Sequence, residues 1–598
     1  MMSHSAQIRE RLTAARALMA KQGVDALIVP SADPHMSEYL PNFWQGREWL
    51  SGFTGSVGTL VVTQDYAGLW TDSRYWVQAP IQLADTGIEL QKMMQGHPTF
   101  AKFLAEHLTA GNKVAIDGAV LSLNEYDTLT AAFAGKDIKL VTDLDLLAQI
   151  WQDRPTLPAE PIYAHPAQFV DTSIAQKLAQ VRDMMAEQGA DYHLISSLDD
   201  IAWLTNLRGS DVDYNPVFLA HLLIGKQTAT LFVAKHKLND ELTTALSQAG
   251  IEVSDYEAVH QAVGQVSGSL LIDPMRAAVG TIGQLSAQVQ LIKAINPSTL
   301  LKAIKSDADI EHVREAMRQD GAALCEFFVA FENKVKAGEA VSELDIADML
   351  IEARSRQPHY VSPSFDTIAG FRGNGAIVHY KATEDSYSQI EGDGLILIDS
   401  GAQYHNGTTD ITRMASVGNI SDDEKKDVTY VLKAHIALAT AHFPVNFSSG
   451  ALDVLTRNQM WQQGLDYGHG TGHGVGYFMN VHEGPQVISI NAPASPERVM
   501  KKGMITTNEP GLYREGKWGI RLENCLVNVP AGSSEFGEFL KFDELTLCPF
   551  DTRLILPELL TAEEKAWLNA YHQRVHDELI GRVEGDAKAW LIERTQPV

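Results

Sequence analysis

Leu395-Ile396-Leu397-Ile398-Asp399-Ser400-Gly401 is a continuous apolar run that ends on an aspartate. Such a run reads as a buried strand. The His405-Asn406-Gly407 turn follows, and Asn-Gly favours a tight reversal. Asp410 then lies on the returning segment, residues 408–416. A hairpin of this kind brings Asp399 and Asp410 to one locus. Taken singly, either carboxylate is equally a strand end or a solvated side chain.

Working outward, three more segments carry chemistry. In Tyr467-Gly468-His469-Gly470-Thr471-Gly472-His473-Gly474 the glycines disfavour a helix and permit close backbone approach to a ligand. His469 and His473 are therefore no helical zinc pair, and His482 follows in Asn480-Val481-His482-Glu483-Gly484-Pro485. In Asn508-Glu509-Pro510-Gly511 the proline holds Glu509 out of the helical region, on a stiff extended backbone. Gly519 to Val527 reads as one strand whose alternation puts Arg521, Glu523 and Cys525 on a single face. Arg521 is placed to hold a ligating carboxylate or its neighbour.

Asp399, Asp410, His473, Glu509 and Glu523 together supply four carboxylates and one imidazole. That donor set suits a pair of hard divalent cations and matches no thiolate or tris-histidine zinc site. Two such cations sharing carboxylates hold a hydroxide at neutral pH, a species able to hydrolyse peptide bonds.

The bulk properties narrow the class. The chain has 598 residues, too many for one ordinary core. A formal net charge of −27 repels phosphate, so a nucleic-acid partner is not expected. The three cysteines, Cys325, Cys525 and Cys548, are far apart and odd in number, which favours a reducing compartment. Residues 1–10 are polar and lack the apolar centre of a signal peptide. No apolar window reaches the length of about 18 residues that a membrane span needs. The expected location is the cytoplasm.

Pro155, Pro158, Pro161 and Pro166 mark a linker. On either side the chain repeats itself. Met19-Ala20-Lys21-Gln22-Gly23-Val24-Asp25 before an apolar run returns as Met185-Ala186-Glu187-Gln188-Gly189-Ala190-Asp191, and Trp49 to Ser56 returns as Trp203 to Ser210. Each glycine closes a helix before a strand begins. Two related α/β domains, 1–154 and 155–306, are expected, followed by a third at 307–598. Ile310 to Phe328 and Asp422 to Thr440 read as helices, and Thr561 with Glu564 has capping-box spacing for a helix to Ile580. The stripe Trp567, Leu568, Tyr571 and Val575 must bury against its own domain or a second subunit. The region from about 541 to 598 reads as a helical tail.

The series Ile398-Asp399-Ser400-Gly401, Thr409-Asp410-Ile411-Thr412-Arg413, Gly470-Thr471-Gly472-His473-Gly474, Asn508-Glu509-Pro510-Gly511 and Arg521-Leu522-Glu523-Asn524 resembles the pita-bread metallopeptidases. Within them the chain is similar, nearly end to end, to the long three-domain aminopeptidase P form. Ile28-Val29-Pro30-Ser31, Ser51-Gly52-Phe53, Trp70-Thr71-Asp72-Ser73-Arg74-Tyr75 and the C-terminal Glu593-Arg594-Thr595-Gln596-Pro597 share in that likeness, with Ser73 standing where glycine is expected.

The resemblance implies two creatinase-N-terminal-like α/β domains followed by an α+β pita-bread catalytic domain. It implies that Asp399 chelates one metal, that Asp410 and Glu523 bridge both, and that His473 and Glu509 complete the ligand set of the second metal. It adds His379, His469 and His482 to the catalytic set with Glu509. His379, His482 and, from the first domain, Arg74 would meet the substrate. The implied metal is manganese, with zinc or cobalt as alternatives. The implied reaction removes the N-terminal residue from peptides with a free N-terminus and proline second, by attack of a hydroxide held between the metals. A homodimer is expected. Prolidase, which takes only Xaa-Pro dipeptides and usually has one N-terminal domain, is the rival reading. A non-catalytic pita-bread binding module is a further one, although no ligand position is lost here.

Overall fold

The computed structural model describes residues 3–598, so Met1 and Met2 of the polar N-terminal stretch lie outside the described residues. The chain divides into two compact units. One comprises residues 1–165 and 172–299; the other comprises residues 166–171 and 300–598.

The first unit holds two six-stranded sheets built to one plan. From edge to edge the first runs Glu89–Lys92, Ala67–Thr71, Thr59–Thr63, Ala26–Pro30, Lys113–Ala115 and Lys139–Val141. The second runs Glu252–Ser254, Ala229–Val233, Ala220–Gly225, Tyr192–Ile195, Ser269–Ile272 and Gln290–Lys293. In both, the second to fourth strands pair antiparallel and the remaining neighbours parallel. The sequence repeat is therefore a structural duplication. Its punctuation is physical: helix His4–Gln22 closes on Gly23 at φ 63°, and Gly189, which follows helix Ile174–Glu187, has φ 72°. A left-handed residue at each point turns the chain from helix into the central strand. The proline-rich linker carries no regular structure over residues 152–162. Its start is docked, with Trp151 stacked on Trp49 at 5.1 Å and the Arg154 guanidinium 3.8 Å from the Phe43 ring centroid.

The second unit is α+β. Gly394–Ser400 lies between Ile368–Phe371 and Ile411–Val417, antiparallel to both. Between Gly394–Ser400 and Ile411–Val417 the chain forms the hairpin Ala402–Tyr404 with Gly407–Thr408, which belongs to a different small sheet. A six-stranded sheet runs His442–Pro444, Gly537–Glu544, Asn524–Ser534, Ile505–Asn508, Gly472–Gly474 and Glu483–Ile488. Helices Asp307–Ala337, Asp422–Ala439 and Ala562–Leu579 pack one core with Ile396, Leu397 and Ile398.

The first of these helices is longer than the apolar pattern predicts. Ser306 and Asp309 form a capping box at its start, and Gly338 ends it at φ 70°. The predicted box of Thr561 and Glu564 is present. Leu568, Tyr571 and Val575 are buried in the core of their own unit, which resolves the docking alternative left open by the stripe. A further helix, Gly585–Arg594, follows.

Two expectations are corrected. The helical tail does not begin at about 541. Residues 541–544 end the strand Gly537–Glu544, in which Leu540, Phe542 and Glu544 alternate inward. The segment Gly519 to Val527 is not one strand. Trp518–Arg521 and Asn524–Ser534 belong to different sheets, because the Glu523 N–H leaves the ladder to donate to the Thr412 carbonyl at 3.1 Å. Among the described residues no helix is long and apolar enough to cross a membrane.

Candidate metal centre

Two strand positions and three breaks between strands deliver the cluster. Asp399 is the penultimate residue of Gly394–Ser400, in register with Thr412. Asp410 immediately precedes Ile411–Val417. Glu523 fills the break described above. Glu509 stands between Ile505–Asn508 and Gly511–Arg514, its N–H donating to the Thr471 carbonyl at 2.8 Å. His473 is the centre of Gly472–Gly474. A Cβ on Gly472 would collide with the Thr507 carbonyl, so that strand seats only because the residue before His473 is glycine.

Ligand atoms of Asp410, His473 and Glu523 all lie within 4.8 Å of one another. His473 Nε2 is 3.5 Å from Asp410 Oδ2 and 3.7 Å from Glu509 Oε1. Its Nδ1 is 2.9 Å from the Gly474 carbonyl, which fixes a proton there and turns Nε2 toward the carboxylates. Arg521 donates from Nη2 to Asp399 Oδ2 at 2.6 Å and from Nε to the Thr412 hydroxyl at 3.2 Å. That hydroxyl in turn donates to Glu523 Oε2 at 2.7 Å.

The electrostatics are those of a site short of positive charge. Asp399, Asp410 and Glu523 are 7%, 4% and 1% exposed. Burial, opposed by Arg521 and assisted by Asp410, lifts Asp399 to about 6. Burial lifts Glu509 to about 7 against the pull of His473 and Arg521. Burial and three neighbouring carboxylates push Glu523 well above the usual range. For His473, burial works downward but Asp410 and Glu509 outweigh it, to about 9. Asp399 Oδ1 is buried without a hydrogen-bond partner. A carboxylate oxygen held in this way is costly unless a cation meets it. The orphaned oxygen, the crowded acids and the oxygen-rich donor set fit divalent metal.

The three other histidines fall into different places. His482 packs its ring edge-on to His473, centroids 4.2 Å apart. His379 is half-buried and follows Val378, whose carbonyl accepts from Arg521 Nη1 at 3.4 Å. His469 places Nδ1 4.0 Å from Glu509 Oε2 and Nε2 2.8 Å from the Tyr513 hydroxyl. Tyr513 also accepts from Arg521 Nη1 at 2.7 Å. The motifs did not single out Tyr513 or the hydroxyl of Thr412 as site groups. Position four after Glu509, and the quoted Asp410-Ile411-Thr412, were the only signals available. Arg74 belongs to the other unit, where it donates from Nε and Nη2 to Asp72 at 2.8 and 2.7 Å. Ser73 opens the short helical turn Ser73–Tyr75 that Asp72 caps, so serine is accommodated at the position where glycine was expected.

Comparison with known proteins agrees with this geometry. Residues 311–529 match metallopeptidase family M24, and residues 538–598 match its C-terminal region. Residues 11–149 and 153–309 each match the creatinase/prolidase N-terminal domain. Aminopeptidase P2 of Arabidopsis thaliana is 38% identical, over 99% of this chain and 89% of that protein. The chain belongs to metallopeptidase family M24. A second M24 relative, Xaa-Pro aminopeptidase 1 of Dictyostelium discoideum, is 37% identical over 99% of this chain and 97% of its own length. The X-prolyl aminopeptidase of Caenorhabditis elegans, a cytosolic enzyme with a di-nuclear active site, superposes with a TM-score of 0.94 at 31% identity, over 99% of this chain and all of that one. The M24 fold with two creatinase-like domains is thus shared across the whole length.

Proposed function

We propose that this M24 enzyme is a metal-dependent aminopeptidase that removes the N-terminal residue from peptides with proline at the second position. The observation that carries the reading is the convergence of Asp410, His473, Glu509 and Glu523 beside the orphaned oxygen of Asp399. The duplicated N-terminal domain and relatives of the same length favour this reading over a dipeptidase.

Asp399, Asp410, His473, Glu509 and Glu523 would hold two ions. When bound, divalent cations supply the acidity that makes water nucleophilic at neutral pH and a positive charge for the developing oxyanion. Arg521 holds Asp399 Oδ2 and leaves Oδ1, buried without a hydrogen-bond partner, for a cation. Glu509 takes a proton from water and returns it to the leaving proline nitrogen. His379 or His482 donates to the scissile carbonyl, and His469 steadies Glu509. The substrate's ammonium group is drawn to the acidic wall at Asp399. Because an Xaa-Pro bond has no N–H, specificity requires a pocket for the ring rather than a hydrogen bond to the amide.

The same reading extends to manganese, for its preference for oxygen donors. It extends to the cytoplasm, where three buried free cysteines stay reduced, and to a homodimer by family resemblance. Domain boundaries are proposed at 154/155 and 306/307.

The test is a digest of Xaa-Pro-Xaa and Xaa-Pro peptides against manganese concentration, followed by mass spectrometry. Release of the first residue from the tripeptide is expected. Cleavage of dipeptides alone would make the enzyme a prolidase.

A further inference from the structure

The His469 to His473 loop contains two glycines, Gly470 and Gly472, and lies between two more, Gly468 and Gly474, and its backbone carries much of the site. Its anchor lies on a neighbouring helix, Asp453–Trp461. Thr471, midway along the loop, is fully buried and donates its hydroxyl to Asp453 Oδ1. Its carbonyl accepts the Glu509 N–H at 2.8 Å, and its own N–H donates to Ile488 at 2.7 Å.

Asp453 is fully buried, and its other oxygen accepts from Arg457 Nε at 2.8 Å and from the Ile490 N–H at 2.7 Å. Arg457 then donates from Nη2 to the His469 carbonyl at 2.6 Å and from Nη1 to the Tyr467 carbonyl at 2.8 Å and to Asp466 at 2.7 Å. Its guanidinium lies 4.2 Å from the Tyr467 ring centroid. The Tyr467 hydroxyl meets Thr456 at 2.9 Å and also Thr471.

Every polar atom of the Arg457 fork is thus spent on loop backbone or on the acids that hold it. A glycine-rich loop has high conformational entropy, and ordering it requires fixed partners. Here they are a rigid guanidinium and a buried carboxylate on a helix. We propose that Arg457, Asp453 and Thr471 are positioning residues: they fix the backbone that presents His469 and His473 and, through the Thr471 carbonyl, Glu509, without touching substrate or metal. This inference rests on the assignment of His473 and Glu509 as ligands. It adds a second support to the site, independent of the one Arg521 gives Asp399.

The experiment uses the full-length protein with Thr471→Val, which keeps shape and loses the hydroxyl, and Arg457→Lys, which keeps charge and loses the fork. Arg457→Met serves as the non-conservative control. Manganese affinity is measured by calorimetry, and kcat and KM are measured at saturating metal, with the melting temperature recorded alongside. Outer supports of metal ligands typically contribute about 10- to 100-fold in affinity or activity. For Thr471→Val, the weaker of two bound ions is expected to lose about 10-fold in affinity while the tighter ion is unchanged. At saturating metal kcat falls by a similar factor with KM within twofold, and Arg457→Lys retains more than Arg457→Met. Wild-type metal affinity and kcat in folded Thr471→Val overturn the proposal. So does an Arg457→Lys loss that tracks only the folded fraction. A wild-type protein that binds two ions yet cleaves no Xaa-Pro peptide refutes the substrate reading alone, and the metal-affinity comparison still decides the role of Arg457.

Discussion

Glu523 is the most enclosed acid of the cluster, and its carboxylate meets Thr412 Oγ1 and the field of the neighbouring acids. Glu523→Gln keeps the size but removes the charge that offsets bound cations. It is expected to lower turnover by more than about 100-fold, beyond the usual effect of an outer support, and to reduce bound metal per chain. Metal analysis beside the peptide assay checks it, and wild-type rates would remove the bridging assignment. His482 is different: it packs on His473 and is assigned to the carbonyl oxygen. His482→Ala should lower kcat by about 100- to 1000-fold while two ions per chain remain. Unchanged kinetics would take it out of the mechanism.

The same groups set a pH dependence. Asp399, at about 6, and Glu509, at about 7, bind protons more tightly folded than unfolded, where they sit near 3.8 and 4.5. In metal-free protein their ionisation costs stability progressively as pH rises from about 4 through 7. His473, raised to about 9, contributes stability that is complete below about 6.5 and lost as pH rises through 9. Metal competes with the carboxylate protons and relieves the repulsion. The gain in melting temperature on adding manganese should therefore grow from pH 5.5 to pH 8. Thermal melts in chelator and in manganese at each pH measure it; a gain that shrinks over that range contradicts the argument.

Among the secondary-structure elements, the helix Ala562–Leu579 does more than cover the core. Tyr571 accepts from Arg413 Nη2 at 3.0 Å, and Arg413 Nη1 donates to the Glu523 carbonyl at 2.7 Å. The helix thereby reaches the backbone of the acidic cluster in two steps. Leu568, fully buried in the same helix, anchors it. Leu568→Ala should cost about 2–5 kcal/mol, the range for emptying a leucine site in a packed core. Denaturant unfolding of the metal-loaded protein reports the change, and a loss under about 1 kcal/mol would mean the helix is not part of the catalytic core. The duplicated sheets show the complementary lesson. Their helix-Gly-strand junctions at Gly23 and Gly189 are local devices, so the repeat was visible in the residues.

The whole molecule consists of two compact units, and the acidic cluster draws on the second alone. A ligand that binds the folded form of the second unit stabilises that unit by mass action. Calorimetry should therefore show two transitions, as multidomain chains commonly do, with manganese raising one and leaving the other in place. A single transition shifted as a whole by metal would contradict this expectation.

What could be read from the residues was local. The end of a buried strand at Asp399, the stiffened backbone before Pro510, the glycines around His473 and the capping box at Thr561 are set by short-range sterics and hydrogen bonding, which the neighbours in sequence decide. The donor set itself implied hard cations. Contacts between distant segments could not be read in this way. Tyr513 beside His469, Thr412 beneath Glu523, and Arg457 gripping the His469 loop are side chains of ordinary type whose roles come from sheet register and helix docking. The misread strand at Gly519 to Val527 has the same cause: a single bond from Glu523 to Thr412, residues more than a hundred positions apart, overrides local alternation.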